Sequence, residues 1–328
     1  MSRNSALQEL LLAASQSGEL SGRLKINEQL AQYTTWRTGG QAECWYQPKN
    51  VADLQNILQL ISNDVAIFWM GLGSNILIRD GGLDGLVINT NGALNALDVN
   101  CDNGQCLLEV QAGLPCAIFS RKAANAGLHG AEFLSGIPGT MGGALAMNAG
   151  AFGGETWRHV VSVTMINKNG ELIRRTPDEF NIAYRQVSLK SIKAELALDE
   201  WFLAALFKLT KDTKRLDQSK AEIKRLLTVR AQTQPTKHAN AGSVFKNPDN
   251  DYAARLIESC GLKGQYYNDA QISIKHANFI INKGHARAQD IEQLINKVRS
   301  EVMLSHGIEL QTEVKIIGKH AAIDKIVR

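Results

Sequence analysis

The sequence predicts an α+β protein built from three compact parts behind a short N-terminal extension. Three observations carry that prediction: stretches with apolar residues at helical spacing alternate with short apolar runs of strand type, a long glycine-rich stretch (136–154) interrupts the middle, and a charged helical segment (211–230) sets off the last hundred residues. With 328 residues, the chain is long enough to bury more than one core.

Residues 1–30 are polar with a helical pattern and read as a helical extension. The run Leu10-Leu11-Leu12-Ala13-Ala14 follows Glu9 and is too short to cross a membrane. It also lacks the basic start and long apolar region of a secretion signal, so a short amphipathic helix is expected, with no membrane partner. Residues 31–88 read as strand, helix, strand. Val51, Leu54, Ile57, Leu58 and Ile61 fall on one helical face, and Ala66-Ile67-Phe68-Trp69-Met70 is a strand-like run feeding a glycine-rich turn. In residues 89–211, the apolar segments 107–110, 160–166 and 202–209 predict strands, and 115–126 predicts a helix. Residues 212–328 continue from the charged connector into a turn-rich patch (234–250). A helix (253–260), a strand (279–282), a helix (288–304) and a last strand (313–317) complete the expected order.

Composition excludes some functions. Lys and Arg exceed Asp and Glu by 36 to 32, a net charge of +4 that suits small anionic ligands, and the basic residues are scattered rather than clustered. No nucleic-acid footprint is expected. Cys44, Cys101, Cys106, Cys116 and Cys260 form no Cys-x-x-Cys pair and have no histidine at zinc-ligand spacing. Reduced buried thiols, no metal and a cytoplasmic location are the expectation.

Two loops carry the chemistry. Gly71-Leu72-Gly73-Ser74-Asn75 follows an apolar run, and bare glycine backbone lets N–H groups approach a phosphate while Ser and Asn add polar side chains. Ile76 stands where a dinucleotide fingerprint wants its third glycine, and the residues after it read as strand and turn, which argues against an ordinary Rossmann dehydrogenase. The second loop is Ser135-Gly136-Ile137-Pro138-Gly139-Thr140-Met141-Gly142-Gly143-Ala144, followed by Met147-Asn148-Ala149-Gly150-Ala151. So many glycines cost conformational entropy on folding, and a flat ligand pressed on bare backbone is one reason to retain them.

These strings resemble the UDP-N-acetylenolpyruvoylglucosamine reductase family. Thr34-Thr35-Trp36-Arg37-Thr38-Gly39-Gly40 looks like the opening of that family's flavin domain. Tyr184-Arg185, then Ala241-Gly242-Ser243-Val244-Phe245-Lys246-Asn247-Pro248, then Glu313-Val314 resemble its catalytic segments in the family's order. The resemblance covers roughly residues 30 to 318, and the short stretch after Arg185 is similar to the subclass lacking an extra tyrosine loop. It implies a two-part FAD-binding domain of the vanillyl-alcohol-oxidase (PCMH) type, residues 31–88 and 89–211, and a smaller C-terminal α+β substrate domain, residues 212–328. It further implies non-covalent FAD, NADPH as reductant, a UDP-sugar substrate and a monomer working in cell-wall precursor synthesis. The FAD contacts it implies are Gly71, Gly73, Ser74, Asn75, Ser135, Gly136, Ile137, Pro138, Gly139, Thr140, Gly142, Gly143, Ala144, Asn148, Ala149 and Gly150.

The same resemblance gives three catalytic roles. Arg185 matches the arginine that binds the substrate carboxylate, Ser243 the proton donor, and Glu313 a glutamate that stabilises an enolate-like intermediate. Lys246 and Lys275 are candidates to assist Ser243, whereas His238 reads as a loop residue. The chain departs from the family pattern at Val187, with Ser188 one residue later than the common serine, and at Asn268-Asp269, where paired glycines are frequent. Two other readings stay open from the residues: a flavin oxidase of related fold, with His129 lying just before the glycine-rich loop, and a non-catalytic nucleotide-sugar sensor.

Overall fold

The computed structural model describes residues 3–102, 104–190, 200–212 and 216–321. Residues 191–199, within the short stretch that resembles the loop-lacking subclass, and 213–215 of the expected connector lie outside the described residues. The chain divides into two compact units, each made of discontinuous segments.

One unit comprises the described residues up to Lys25, Trp45–Leu72 and Val87–Val229. Its first helix, α1 (Arg3–Ser17), buries Leu7, Leu11 and Ala14 and leaves Leu10 and Leu12 exposed, the one-sided pattern expected of an amphipathic helix. Arg23–Gln29 of the expected helical extension is instead a strand. Helix α2 (Val51–Leu60) starts on Asn50, whose side chain accepts from the Asp53 N–H, and buries Leu54, Ile57 and Leu58. The centre of the unit is a six-stranded antiparallel sheet. Its order is Leu172–Arg175, Val160–Asn167, Glu200–Lys211, Gln105–Gln111 and Leu97–Asp102, with Leu128–His129 also pairing with Glu200–Lys211. Along Gln105–Gln111 buried and solvent-facing residues alternate, so Cys106, Leu108 and Val110 enter the core. Helix α3 (Cys116–Asn125) sets Phe119 against Phe207 of the sheet, ring centroids 5.1 Å apart.

Helix α4 (Met141–Ala146) lies inside the glycine-rich stretch, which reads as a loop in the sequence. Its glycines carry little helix propensity, and tertiary anchors supply what propensity does not: the Met141 and Gly142 N–H groups donate to the carbonyls of Leu114 and Ala112, 2.9 Å each. Helix α5 (Leu216–Thr233) occupies the expected connector.

The thiol expectation needs one correction. Cys101 and Cys106 are joined by a disulfide, because they face each other in register across the Leu97–Asp102 and Gln105–Gln111 hairpin, Cα atoms 4.1 Å apart. Cys101 is exposed rather than buried. Cys44, Cys116 and Cys260 are free. Burial pushes the Cys44 and Cys116 thiols up to about 12, with the Glu43 charge adding to the effect at Cys44, so both stay protonated and unreactive.

The other unit comprises Ile26–Cys44, Gly73–Leu86 and the described residues from Arg230 onward. Its core gathers Trp36, Leu77, Val244, Phe245, Leu256, Ile291, Leu294, Ile295 and Val298, among others. Helix α6 (Ala253–Ser259) packs against helix α7 (Ala288–His306), which lies on a three-stranded sheet of Tyr266–Tyr267, Ala270–Ile272 and Ile280–Asn282. Helix α7 is capped from far along the chain: Asp80 accepts from the N–H groups of Ala288 and Gln289, 2.9 Å each. Arg79 grips Glu292 on the same helix through both carboxylate oxygens, which holds the Glu292 carboxyl below its ordinary range. Strand Ile76–Ile78 pairs in parallel with Lys315–Ile317. Among the described residues no helix is long and apolar enough to cross a membrane, and no cluster of side chains suits a metal ion.

Candidate active site

The predicted residues fall into two constellations, one in each unit. Ser243 and Glu313 belong to the second. The backbone around Ser243 is fixed by Asn278, whose side chain is almost fully buried. The Asn278 amide accepts from the Phe245 N–H at 2.9 Å and donates to the Phe245 carbonyl at 2.8 Å, while its own carbonyl takes the Val244 N–H at 2.9 Å. A buried asparagine that satisfies both backbone groups of a neighbouring segment holds it as a strand would. The Glu313 N–H then donates to the Val244 carbonyl at 2.7 Å, and Phe245 bridges to Thr312. Ser243 and Glu313 therefore flank one backbone contact although 69 residues of chain lie between them (244–312).

Asn75 of the first loop joins the same group. Its amide donates to the Glu313 carbonyl at 3.0 Å, and its carbonyl accepts from the Lys315 N–H. Gly73, at φ 66°, needs to be glycine because a Cβ would sit 2.1 Å from the Tyr33 carbonyl oxygen. The opening motif is nearby: buried Trp36 donates to the Ile280 carbonyl at 2.8 Å, and the Asn282 amide donates to the Trp36 carbonyl at 2.9 Å. Lys275 is exposed and donates to the Ala231 carbonyl. His238 is exposed in a turn, its N–H on the Pro235 carbonyl, in keeping with a loop residue.

Arg185 and the second glycine-rich loop belong to the first unit. Arg185 occupies a two-residue turn between Phe180–Ala183 and Gln186–Leu189, with φ 55°, a backbone state that disfavours a non-glycine residue. Its guanidinium donates to the Gly150 carbonyl at 3.0 Å and lies 5.3 Å from the Tyr184 ring centroid. Asn148, also left-handed at φ 42° and buried, clamps this turn. Its amide donates to the Ala183 carbonyl at 3.3 Å and to Glu155 at 3.2 Å, and its oxygen accepts the Trp157 N–H at 3.2 Å. Both ends of the Asn148 side chain are thus engaged within the protein, and Gly150 and Ala149 are tied to Arg185 and Thr156.

The rest of that loop forms a surface of bare backbone. Thr140 is buried at the start of α4, its hydroxyl beside Gly71, where a Cβ would approach to 2.3 Å. Gly142 packs on Ala112, where a Cβ would meet Ala112 at 2.8 Å. Gly143 is the opposite case: it is exposed, and a Cβ there would find no atom nearer than 4.0 Å. Pro138 is exposed and Gly139 half-buried, while Ser135 and Gly136 are buried and Ala144 is packed inward. A stretch open to solvent with no side chain at Gly143 suits a flat ligand such as a flavin nucleotide, so the residues present fit FAD. The sequence reading missed Asn278, and nothing in its neighbours marks it. Its only signal is its place between two residues that enter the core, Ala277 and Phe279.

Comparison with known proteins follows this division. Residues 42–176 match the profile of an FAD-binding domain, and residues 234–317 match that of the UDP-N-acetylenolpyruvoylglucosamine reductase C-terminal domain. The chain is 51% identical over 301 residues to the UDP-N-acetylenolpyruvoylglucosamine reductase of Legionella pneumophila, covering 92% of this chain and 94% of the relative. It is 48% identical over 296 residues to that of Methylococcus capsulatus, covering 90% and 93%. The solved UDP-N-acetylenolpyruvylglucosamine reductase of Thermus caldophilus superposes with a TM-score of 0.74 at 30% identity, covering 90% of this chain and 99% of that one. On this identity and coverage, the chain belongs to the UDP-N-acetylenolpyruvoylglucosamine reductase family.

Proposed function

We propose that this chain reduces the enolpyruvyl group of UDP-N-acetylglucosamine-enolpyruvate to give UDP-N-acetylmuramate, with FAD as cofactor and NADPH as reductant, in peptidoglycan precursor synthesis. The observation that carries the reading is the 2.7 Å backbone contact that holds the Ser243 and Glu313 segments together. The two family profiles support assigning residues 31–88 and 89–211 to flavin binding and 212–328 to the substrate. We also assign it to the cytoplasm, where NADPH and nucleotide sugars are found, and expect a monomer, which sedimentation would test.

Bound FAD supplies a hydride acceptor for NADPH and a hydride donor to the terminal vinyl carbon. The protein residues handle what remains. Arg185 binds the substrate carboxylate with a fixed positive charge and a planar pair of donors. Negative charge then develops on that carboxylate and the adjoining carbon, and Glu313, carrying a proton, hydrogen-bonds an enolate oxygen. Ser243 gives its hydroxyl proton to the adjoining carbon and regains one from solvent or a neighbouring lysine such as Lys246. The double bond gains one hydride and one proton, and the ether linkage to the sugar is untouched. The loop residues Gly71, Gly73, Ser74, Asn75, Ser135 through Thr140, Gly142, Gly143, Ala144, Asn148, Ala149 and Gly150 would hold the flavin, and Asn148 also supports the turn carrying Arg185.

Anaerobic absorbance of the flavin-loaded protein tests this. NADPH bleaches the flavin, and adding the enolpyruvyl UDP-sugar restores the colour. Recovery with oxygen alone would instead assign an oxidase.

A further inference from the structure

His129 lies on Leu128–His129, just ahead of the turn Glu132–Gly136 that bears Ser135 and Gly136. Its Nε2 is 3.0 Å from the carbonyl oxygen of Asp212. A carbonyl oxygen only accepts, so Nε2 carries a proton. The hydroxyl of Ser219, buried on α5, lies 2.6 Å from His129 Nδ1 and 2.6 Å from Glu132 Oε1, and those two atoms are 3.3 Å apart. The other Glu132 oxygen accepts from the Gly130 N–H at 2.9 Å.

One hydroxyl hydrogen cannot serve both neighbours. If it went to Nδ1, the Ser219 oxygen would face a carboxylate oxygen at hydrogen-bond distance with no proton between them. If it goes to Glu132, Nδ1 must donate, and the imidazole carries protons on both nitrogens. With Glu132 ionised, only the second arrangement satisfies every short contact. Burial raises the Glu132 carboxyl, but bonds from Ser219 and the backbone and the His129 charge outweigh it and hold the group below its ordinary range. It therefore stays an anion. The neighbouring His159, whose ring lies against Gly130, is held low by burial and then by Arg158, so it does not compete for the anion.

The ion triad holds the turn from three elements. The Glu132 carbonyl receives the Ser135 hydroxyl at 2.7 Å and the Ser120 hydroxyl of α3 at 3.4 Å, while its carboxylate reaches α5 through Ser219. We propose that His129, as an imidazolium, is the positioning residue of the flavin loop, fixing the Glu132–Gly136 turn to α5 through Ser219 and Glu132. This rests on the reading that the loop holds FAD.

The test uses the FAD-loaded protein. Ring nitrogen resonances of His129 are expected to show both nitrogens protonated; one unprotonated nitrogen overturns the proposal whatever any variant does. His129→Gln keeps an N–H for the Asp212 carbonyl but loses the charge, and Ser219→Ala removes the relay. Each is expected to weaken FAD affinity, read by flavin fluorescence, about tenfold through loss of a charge-assisted bond. Gly143→Leu serves as the control, since it fills open space on the loop without an internal clash. If Gly143→Leu releases FAD and both other variants bind it as tightly as the parent, the positioning role is wrong and the loop reading stands. If Gly143→Leu leaves FAD affinity unchanged, the loop reading itself is wrong and the proposal falls with it. If His129→Gln fails to fold, the resonance measurement on the parent and Ser219→Ala still decide.

Discussion

The Ser243 and Arg185 regions solve the same problem by different means. Around Ser243 the chain is held by backbone pairing, with buried Asn278 acting as a substitute strand and Val244 and Phe245 sealed beneath. Around Arg185 a left-handed turn is held by the side chain of Asn148 and by the guanidinium's own bond to Gly150. The first arrangement is part of a hydrophobic core, so disturbing it costs fold stability. The second is a clamp of polar contacts on a turn with exposed Tyr184 at its tip, so disturbing it changes where one cation points. In the proposed reaction, proton delivery would thus be anchored in the core, while carboxylate recognition would hang on a few hydrogen bonds.

The comparison predicts a ranked series of effects. Ser243→Ala is expected to slow flavin reoxidation by the sugar substrate by about 10²–10⁴-fold, with reduction by NADPH unchanged, as stopped-flow absorbance would show. Equal loss in both half-reactions would remove Ser243 from the proton-donor role. Asn278→Ala leaves a buried N–H and carbonyl of Phe245 without partners and should cost about 3 kcal/mol of stability in urea unfolding. A loss under about 1 kcal/mol would mean that packing rather than Asn278 holds the Ser243 segment. Asn148→Ala should raise KM for the sugar about tenfold, about 1.4 kcal/mol, while flavin reduction by NADPH stays near the parent rate. Equal damage to both half-reactions would erase the contrast between the regions.

The smallest effect concerns acid. Asp53 accepts from the N–H groups of Ser21 and Lys49 and from the Ser21 and Tyr46 hydroxyls. Burial raises its carboxyl, but these bonds prevail and the group sits below its ordinary value. Its folded form is depressed, so the stability it adds is present above the unfolded value of about 4 and is lost as pH falls through the lower folded one. Asp53→Asn should therefore flatten the acid side of the stability curve below about pH 4, measured by thermal unfolding. An unchanged acid limb would assign the loss to other carboxylates.

Most helices and strands could be read from the sequence, because apolar spacing survives wherever an element buries one face; α2, α3, α6 and α7 all follow it. Helix α4 could not, since its glycines are low in propensity and its stability comes from carbonyls of Ala112 and Leu114. Strand Arg23–Gln29 hid in a polar segment whose burial alternates only over its last four residues. The disulfide escaped because the rule looked for close cysteines along the chain, whereas a hairpin puts Cys101 opposite Cys106. The glycines were legible as a group, yet the sequence could not separate those facing inward, such as Gly71, from Gly143, which faces out. Asn148 reads in the sequence as a ligand contact, and only its burial and left-handed backbone add a structural clamp to that reading. Ser219 and Glu132 carry no signal and Asn278 only its place between two core residues, because a lone polar residue gains meaning only from neighbours brought by the fold.

The parallel pairing of Ile76–Ile78 with Lys315–Ile317 bears on how the protein is made. Asn75 and Glu313 are 238 positions apart, so strand Ile76–Ile78 emerges from the ribosome long before its partner exists. Its edge stays open until Lys315–Ile317 has been made, and Ser243 is translated before Glu313 can brace it. A chain cut before Lys315 would lose the closing strand, so forms truncated there should be open to protease at the Gly73–Leu86 segment.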